Sequence, residues 1–343
     1  MARVAVVLFN LGGPDRPEAV RPFLFNLFND PAIIGAPGPI RWLIATLISR
    51  RRAPVTRAIY AEIGGCSPLL ELTNEQAGAL EAALQGIGEV RAFVAMRYWH
   101  PMSGVVAGEV KAFEPDEVIL LPLYPQFSTT TSGSSLADWA RAAAAAGLDA
   151  PTKTICCYPV QERLIEAKTR LIAEALDAVT EGAPRLLLSA HGLPKKIIAG
   201  GDPYQWQVEQ TAAAIIERLA RPDLDWAVCY QSRVGPLEWI GPYTDEEIGR
   251  AGAHGCPLVI APIAFVSEHS ETLVELDITY HKLAREAGVP QYIRVPALGS
   301  DLGFIAALAE IVREALDAEP GAVRPAGGGR LCPGSFALCA LGG

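Results

Sequence analysis

Short unbroken apolar runs alternate along this chain with longer segments of helical spacing. Val4-Ala5-Val6-Val7-Leu8-Phe9 is the first such run, and Leu186-Leu187-Leu188 begins the second half in the same way. Continuous apolarity, as opposed to strict alternation, marks strands buried on both faces, as in a parallel sheet. The runs predict strands at residues 4–10, Glu89–Tyr98, Glu117–Tyr124, Thr152–Tyr158, 185–190, Asp225–Gln231, Gly255–Phe265 and Tyr292–Val295. Between them lie helices: one from about Gln161 to Val179, one over Gln205–Leu219, one carrying Glu271 and Glu275 to about Ala287, and a last over Leu302–Asp317. Strand–helix alternation of this kind predicts an α/β protein with parallel sheets.

One segment breaks the rhythm. Pro22–Phe28 is densely aromatic. It is followed by apolar residues at 40, 43, 44, 47 and 48, with Trp42 widening the face and Arg50-Arg51-Arg52 at the carboxyl end. Helical spacing predicts a helix here, stopped before Pro54 and resumed towards Ile63. Its apolar face reads as packing on its own domain, or as a hydrophobic lip suited to a flat apolar molecule with carboxylates or to a membrane surface. Thr73, with Gln76 three residues on, has the spacing of a capping box.

The chain's 343 residues favour two domains. The expected divisions are 1–160, with the lip at about 22–52, then 161–318, and a Gly/Pro/Ala-rich extension over 319–343 with no assigned structure. A net charge of −9 without a basic arm argues against a general nucleic-acid binder, though a negative average leaves room for a local basic patch. No signal peptide is read, and prolines and Arg41 interrupt the most apolar stretch, so the expected compartment is the cytoplasm, with the lip able to rest against a membrane. Seven irregularly spaced cysteines give no disulfide framework. The turn Gly12-Gly13 after the first strand is not a dinucleotide fingerprint.

Chemistry gathers at strand ends. Leu186–Ala190 delivers His191 into a loop closed by Gly192 and Pro194, and ligands of open α/β sheets bind beyond the carboxyl ends of strands. Two further strand ends offer Arg233 with Trp239, and the group Glu268, His269, Glu271 and Glu275. Glu271 and Glu275 lie one turn apart on one helix face, an avoidable repulsion that marks them as candidates over a merely solvated acidic face. Imidazole with carboxylates, lacking the spacing of a fixed zinc site, suits proton acceptance or a loosely held divalent ion such as Fe²⁺.

Seven co-linear motifs, within residues 4 to about 315, carry a family resemblance. They are Leu11-Gly12-Gly13-Pro14, Gly64-Gly65-Cys66-Ser67-Pro68, Arg97-Tyr98-Trp99-His100-Pro101, Tyr124-Pro125-Gln126-Phe127-Ser128, Ser189–Pro194, Gln231–Pro236 and Pro262–Leu273. Together they resemble the ferrochelatase family. The resemblance implies insertion of Fe²⁺ into protoporphyrin IX with release of two pyrrole protons, in a cleft between two Rossmann-like domains. No cofactor is required for that chemistry; porphyrin and Fe²⁺ are the partners. His191 is implied as metal ligand or proton acceptor and Glu271 as completing the metal site, with Glu275 and Glu268 on an acidic path. Leu11, Tyr60, Tyr98, Trp239 and Phe265 match positions lining the macrocycle. Arg51, Arg52 and Ser67 match positions near its propionates, and Arg97 joins the porphyrin set. Some relatives hold a 2Fe–2S cluster through cysteines of a C-terminal extension. Here Cys157, with neighbouring Cys156, and the tail's Cys332 and Cys339 are the candidates, although the usual denser tail cluster is absent. Coproporphyrin III as substrate and a non-catalytic porphyrin or haem carrier are the alternatives.

Overall fold

The computed structural model describes residues 2–342. Its elements, in order, are β1 (Arg3–Asn10), α1 (Val20–Phe28), α2 (Gly38–Ala61), α3 (Leu69–Ala83), β2 (Glu89–Met96), α4 (Ser103–Phe113), β3 (Glu117–Pro122), α5 (Ser132–Ala146), β4 (Thr152–Ile155) and α6 (Glu162–Asp177). There follow β5 (Arg185–His191), α7 (Lys195–Ala199), α8 (Tyr204–Leu219), β6 (Asp225–Gln231), α9 (Thr244–Ala253), β7 (Leu258–Pro262), a π-helix (Glu271–Tyr280), α10 (His281–Glu286), β8 (Tyr292–Arg294), α11 (Leu302–Leu316) and β9 (Val323–Arg324).

Two all-parallel sheets result, in the orders β2-β1-β3-β4-β9 and β6-β5-β7-β8. The unbroken apolar runs are the central strands: β1, β5 and β7 are buried almost throughout. Both sheets begin with the same winding, in which the chain moves first to one side of its opening strand and then to the other. The crevice at that reversal, between β1 and β3 or between β5 and β7, is where such sheets take ligands. The chain forms two α/β units, one comprising residues up to Tyr158 with Leu308–Leu331, the other Pro159–Ala307 with the residues from Cys332 onward.

Several local expectations are revised. α2 runs on through Pro54, at the cost of the hydrogen bond that an N–H at 54 would make to the Arg50 carbonyl. Its small residues Ala45, Ser49 and Ala53 face inward, while Ile40, Trp42, Leu43 and Leu47 are 53, 55, 62 and 50% exposed. Thr73 is no cap: α3 starts after Pro68, and the buried Thr73 hydroxyl donates to the Leu69 carbonyl at 2.6 Å while accepting from Asn10. The extension is not structureless. Its β9 pairs with β4, and farther on Trp206 packs on Phe336 and the Leu338 N–H bonds the Gly201 carbonyl.

Candidate active site

His191 ends β5, and the loop leaving β7 carries Phe265, Glu268 and His269 into the π-helix that begins at Glu271. These groups stand at the β5/β7 reversal of the second sheet. The His191 Nδ1 lies 2.5 Å from the Gly192 carbonyl, which can only accept, so the proton of the neutral ring sits on Nδ1. That leaves Nε2 as a lone pair, 3.6 Å from Glu271 Oε1. The other carboxylate oxygen of Glu271 is 4.0 Å from His269 Nε2, and His269 Nδ1 is buried without a hydrogen-bond partner among the described residues. Glu271 therefore lies between two imidazoles, with His191 and Glu271 both partly exposed. Trp239 packs its ring 6.3 Å from that of His191, its indole N–H held by the Val234 carbonyl, and Phe265 sets its ring edge-on to His269.

Glu275 and Glu268 are placed differently from expectation. Glu275 accepts from the Ser232 N–H (2.9 Å), the Ser232 hydroxyl, the Gln231 amide (3.0 Å) and the Tyr280 hydroxyl (2.9 Å). Four donors meet the four lone-pair sites of this carboxylate, so the fold fastens Glu275 in place. Burial, and then the Glu275 charge, raise the Tyr280 phenol, which keeps it a donor. Glu268 leaves the expected acidic path for an ion pair with Arg294. Burial pushes its carboxyl up, but the Arg294 charge together with hydrogen bonds from Thr272, Arg294 and the Ala297 N–H holds it below its ordinary value. Among the described residues no three His, Cys, Asp or Glu side chains are grouped to hold a metal ion. Of the four expected metal residues, His191 and Glu271 are the pair with atoms facing each other.

Gln231, Ser232 and Tyr280 are functional neighbours that spacing alone did not mark. The register across β5 and β6 sets His191 opposite Gln231. The Gln231 amide accepts from Ser189 and donates to Glu275 and to the Glu271 carbonyl, so it ties both strands to the π-helix. Ser232 takes φ of 66°, a left-handed conformation of the kind that clusters where function over-determines the backbone.

In the first unit, Leu11, Tyr60 and Tyr98 share one apolar cluster with Phe23, Leu24 and Trp99. A Cβ at Gly13 would collide with the Ser67 side chain and come within 3.5 Å of the Tyr60 hydroxyl, so glycine is needed for that approach. Arg51 and Arg52 are exposed on α2, with Arg52 above the Phe28 ring. Tyr98 is only 2% exposed and does not stand as a free macrocycle wall. Its hydroxyl donates to the buried Asp30 at 2.8 Å, and burial, then the Asp30 charge, raise the phenol well above its ordinary value. Arg97 is spent on the same carboxylate at 2.8 Å and on Ser134 at 2.7 Å.

The cysteines do not fit an iron–sulfur cluster. Cys156 and Cys157 face each other at 3.7 Å, Cys332 receives the Gln207 amide, and the four thiolates a 2Fe–2S centre needs are not gathered among the described residues.

The ferrochelatase family model matches residues 3–316. The chain belongs to the ferrochelatase family. It is 56% identical over 344 residues to the ferrochelatase of Caulobacter vibrioides (strain NA1000 / CB15N), covering 98% of this chain and 97% of that protein. Identity to the ferrochelatase of Phenylobacterium zucineum is 54%, covering 98% of each, and to that of Pelagibacter ubique 50%, covering 90% of each. Membership makes this protein a metal chelatase, a lyase. Among solved structures, SirB from Bacillus subtilis with Fe³⁺ matches with a TM-score of 0.55 at 13% identity, over 92% of this chain and 96% of that one. The sirohydrochlorin chelatase SirB from Bacillus subtilis subspecies spizizenii in complex with cobalt matches at 0.54 and 11%, over 92 and 95%. At those identities the likeness shows the chelatase-type α/β fold alone.

Proposed function

We propose that this protein inserts ferrous iron into protoporphyrin IX, forming protohaem and releasing two pyrrole protons. The observation that carries the reading is the His191 Nε2 lone pair facing Glu271 at 3.6 Å, at the β5/β7 reversal of a ferrochelatase-family chain. Each N–H that becomes an N–Fe bond must shed a proton, so a base has to stand beside the macrocycle. The unprotonated Nε2 of His191 takes that proton, and Glu271 stabilises the imidazolium and passes the proton on. The same pair can meet the incoming iron, and its sparse ligation lets the metal leave for the porphyrin. Glu275, fastened by four donors, ties the π-helix that carries Glu271 to the end of β6. Trp239 and Phe265, with Leu11 and Tyr60, offer apolar surface to the ring. Arg51, Arg52 and Ser67 suit its propionates.

His191→Ala should abolish iron insertion while leaving porphyrin binding within about threefold of wild type. Equal loss of both would instead indicate a carrier.

The exposed apolar strip of α2, beside Arg50, Arg51 and Arg52, suits peripheral contact with an anionic lipid surface, where a poorly soluble porphyrin resides. Among the described residues no helix is long and apolar enough to cross a membrane. The reading adopted is a cytoplasmic protein that visits the membrane through this strip. Co-sedimentation with anionic vesicles, reduced at least threefold in Trp42→Ser/Leu43→Ser, is expected; undiminished sedimentation of the double variant would refute the contact.

A further inference from the structure

Among the described residues the Glu271 carboxylate accepts no hydrogen bond from a fixed donor; two imidazole nitrogens stand 3.6 and 4.0 Å from it. Where the carboxylate stands is set by the backbone that carries it. Gln231 holds that backbone on one side, donating to the Glu271 carbonyl at 2.9 Å. On the other side the fastening is Arg294, on the edge strand β8. Its Nε and Nη2 each donate at 2.7 Å to the two oxygens of Asp277, a bidentate fork, and its Nη1 donates at 2.5 Å to Glu268 Oε1. The Ala297 N–H closes on the same Glu268 oxygen at 2.9 Å.

Glu268 lies three residues before Glu271, in the loop that leads into the π-helix, and Asp277 follows it within that helix, so one guanidinium pins the segment on both sides of the reacting carboxylate. The planar fork is needed for this. An ammonium in its place could hold one carboxylate as a point charge but could not keep two parallel bonds to Asp277 while reaching Glu268. The three side chains are largely shielded from solvent, which spares the pairs the screening of a surface bridge.

We propose that Arg294 is a positioning residue for iron insertion, fixing through Glu268 and Asp277 where the Glu271 carboxylate stands opposite His191. The proposal rests on the reading of His191 and Glu271 given above. Arg294 touches neither porphyrin nor iron; it acts through Glu271.

The test compares wild type, Arg294→Lys, Glu271→Gln and the double variant in anaerobic turnover of Fe²⁺ and protoporphyrin IX. Arg294→Lys is expected to fall roughly 10- to 100-fold in kcat, the scale of a displacement of about 1 Å at a reacting group, with the porphyrin KM within about twofold. In the Glu271→Gln background the same substitution should add less than about a twofold further loss, since the group it positions has been removed. Losses that multiply, an unchanged kcat, or a rise in KM alone would overturn the role. Should Arg294→Lys fail to fold, Asp277→Asn, which weakens the fork and keeps the Glu268 pair, must show a smaller kcat loss with the same non-additivity. An inactive wild type would overturn the iron-insertion reading itself and this role with it; an active wild type with multiplicative losses overturns only Arg294.

Discussion

Lys168, on α6, is buried, and its ammonium donates to the Phe265 carbonyl at 3.3 Å. It lines a cavity of about 10 Å³ whose other walls, Leu171, Ile172, Ala261, Pro262, Ile263, Val295, Pro296 and Leu298, carry no charge. Burial alone pulls its pKa from 10.5 down to about 7. At about 1.36 kcal/mol per tenfold change in proton affinity, that is about 5 kcal/mol against the charged form. The sign follows from which state binds more protons. Below about pH 7 the lysine is charged in both states and the folded protein bears the whole cost. Between 7 and 10.5 the folded state gives up its proton while the unfolded chain keeps it, so stability rises with pH across that window. Lys168→Met keeps the length and removes the charge, but leaves the Phe265 carbonyl unpaired, at about 1–3 kcal/mol. The net is a gain of about 2–4 kcal/mol at pH 6, shrinking to nothing near pH 9. For a unit of this size that is a rise of roughly 5–10 °C in apparent Tm at pH 6. Melting curves of both proteins from pH 6 to 9 read this directly. A difference that does not change with pH, or a destabilised variant at pH 6, would refute the argument.

Two further outcomes separate bracing from binding in the first unit. Tyr98→Phe removes one donor from the buried Asp30 and should cost about 1.5–3 kcal/mol in stability, with the porphyrin KM within about twofold; a raised KM at unchanged Tm would restore Tyr98 to the macrocycle wall. Gly13→Ala, which drives a methyl into Ser67, should weaken porphyrin binding at least fivefold by fluorescence titration; unaltered affinity would remove the Gly13–Ser67 approach from the site.

The buried strands could be read from the sequence because burial on both faces leaves an uninterrupted apolar run, as in Val4–Phe9 and Leu186–Leu188. His191 was visible for the same reason, since the run stops at the carboxyl end of the strand. Orientation was not so legible. Helical spacing revealed an apolar strip on α2 but not that Ala45, Ser49 and Ala53 are the residues that pack, leaving the large side chains outside. Partners distant in sequence were hidden too. Nothing local ties Glu268 to Arg294, 26 residues on, or Glu275 to Ser232, 43 residues back, so both glutamates looked free to take metal. Thr73 shows the opposite failure, a capping spacing overridden because Pro68 had already begun the helix.

Iron insertion is assayed with the purified protein under anaerobic conditions, with Fe²⁺ and protoporphyrin IX, coproporphyrin III being run in parallel. The free-porphyrin absorbance should convert to that of haem, faster with protoporphyrin than with coproporphyrin, and should not convert in His191→Ala. Porphyrin that binds and stays unmetallated in the wild-type protein would contradict it.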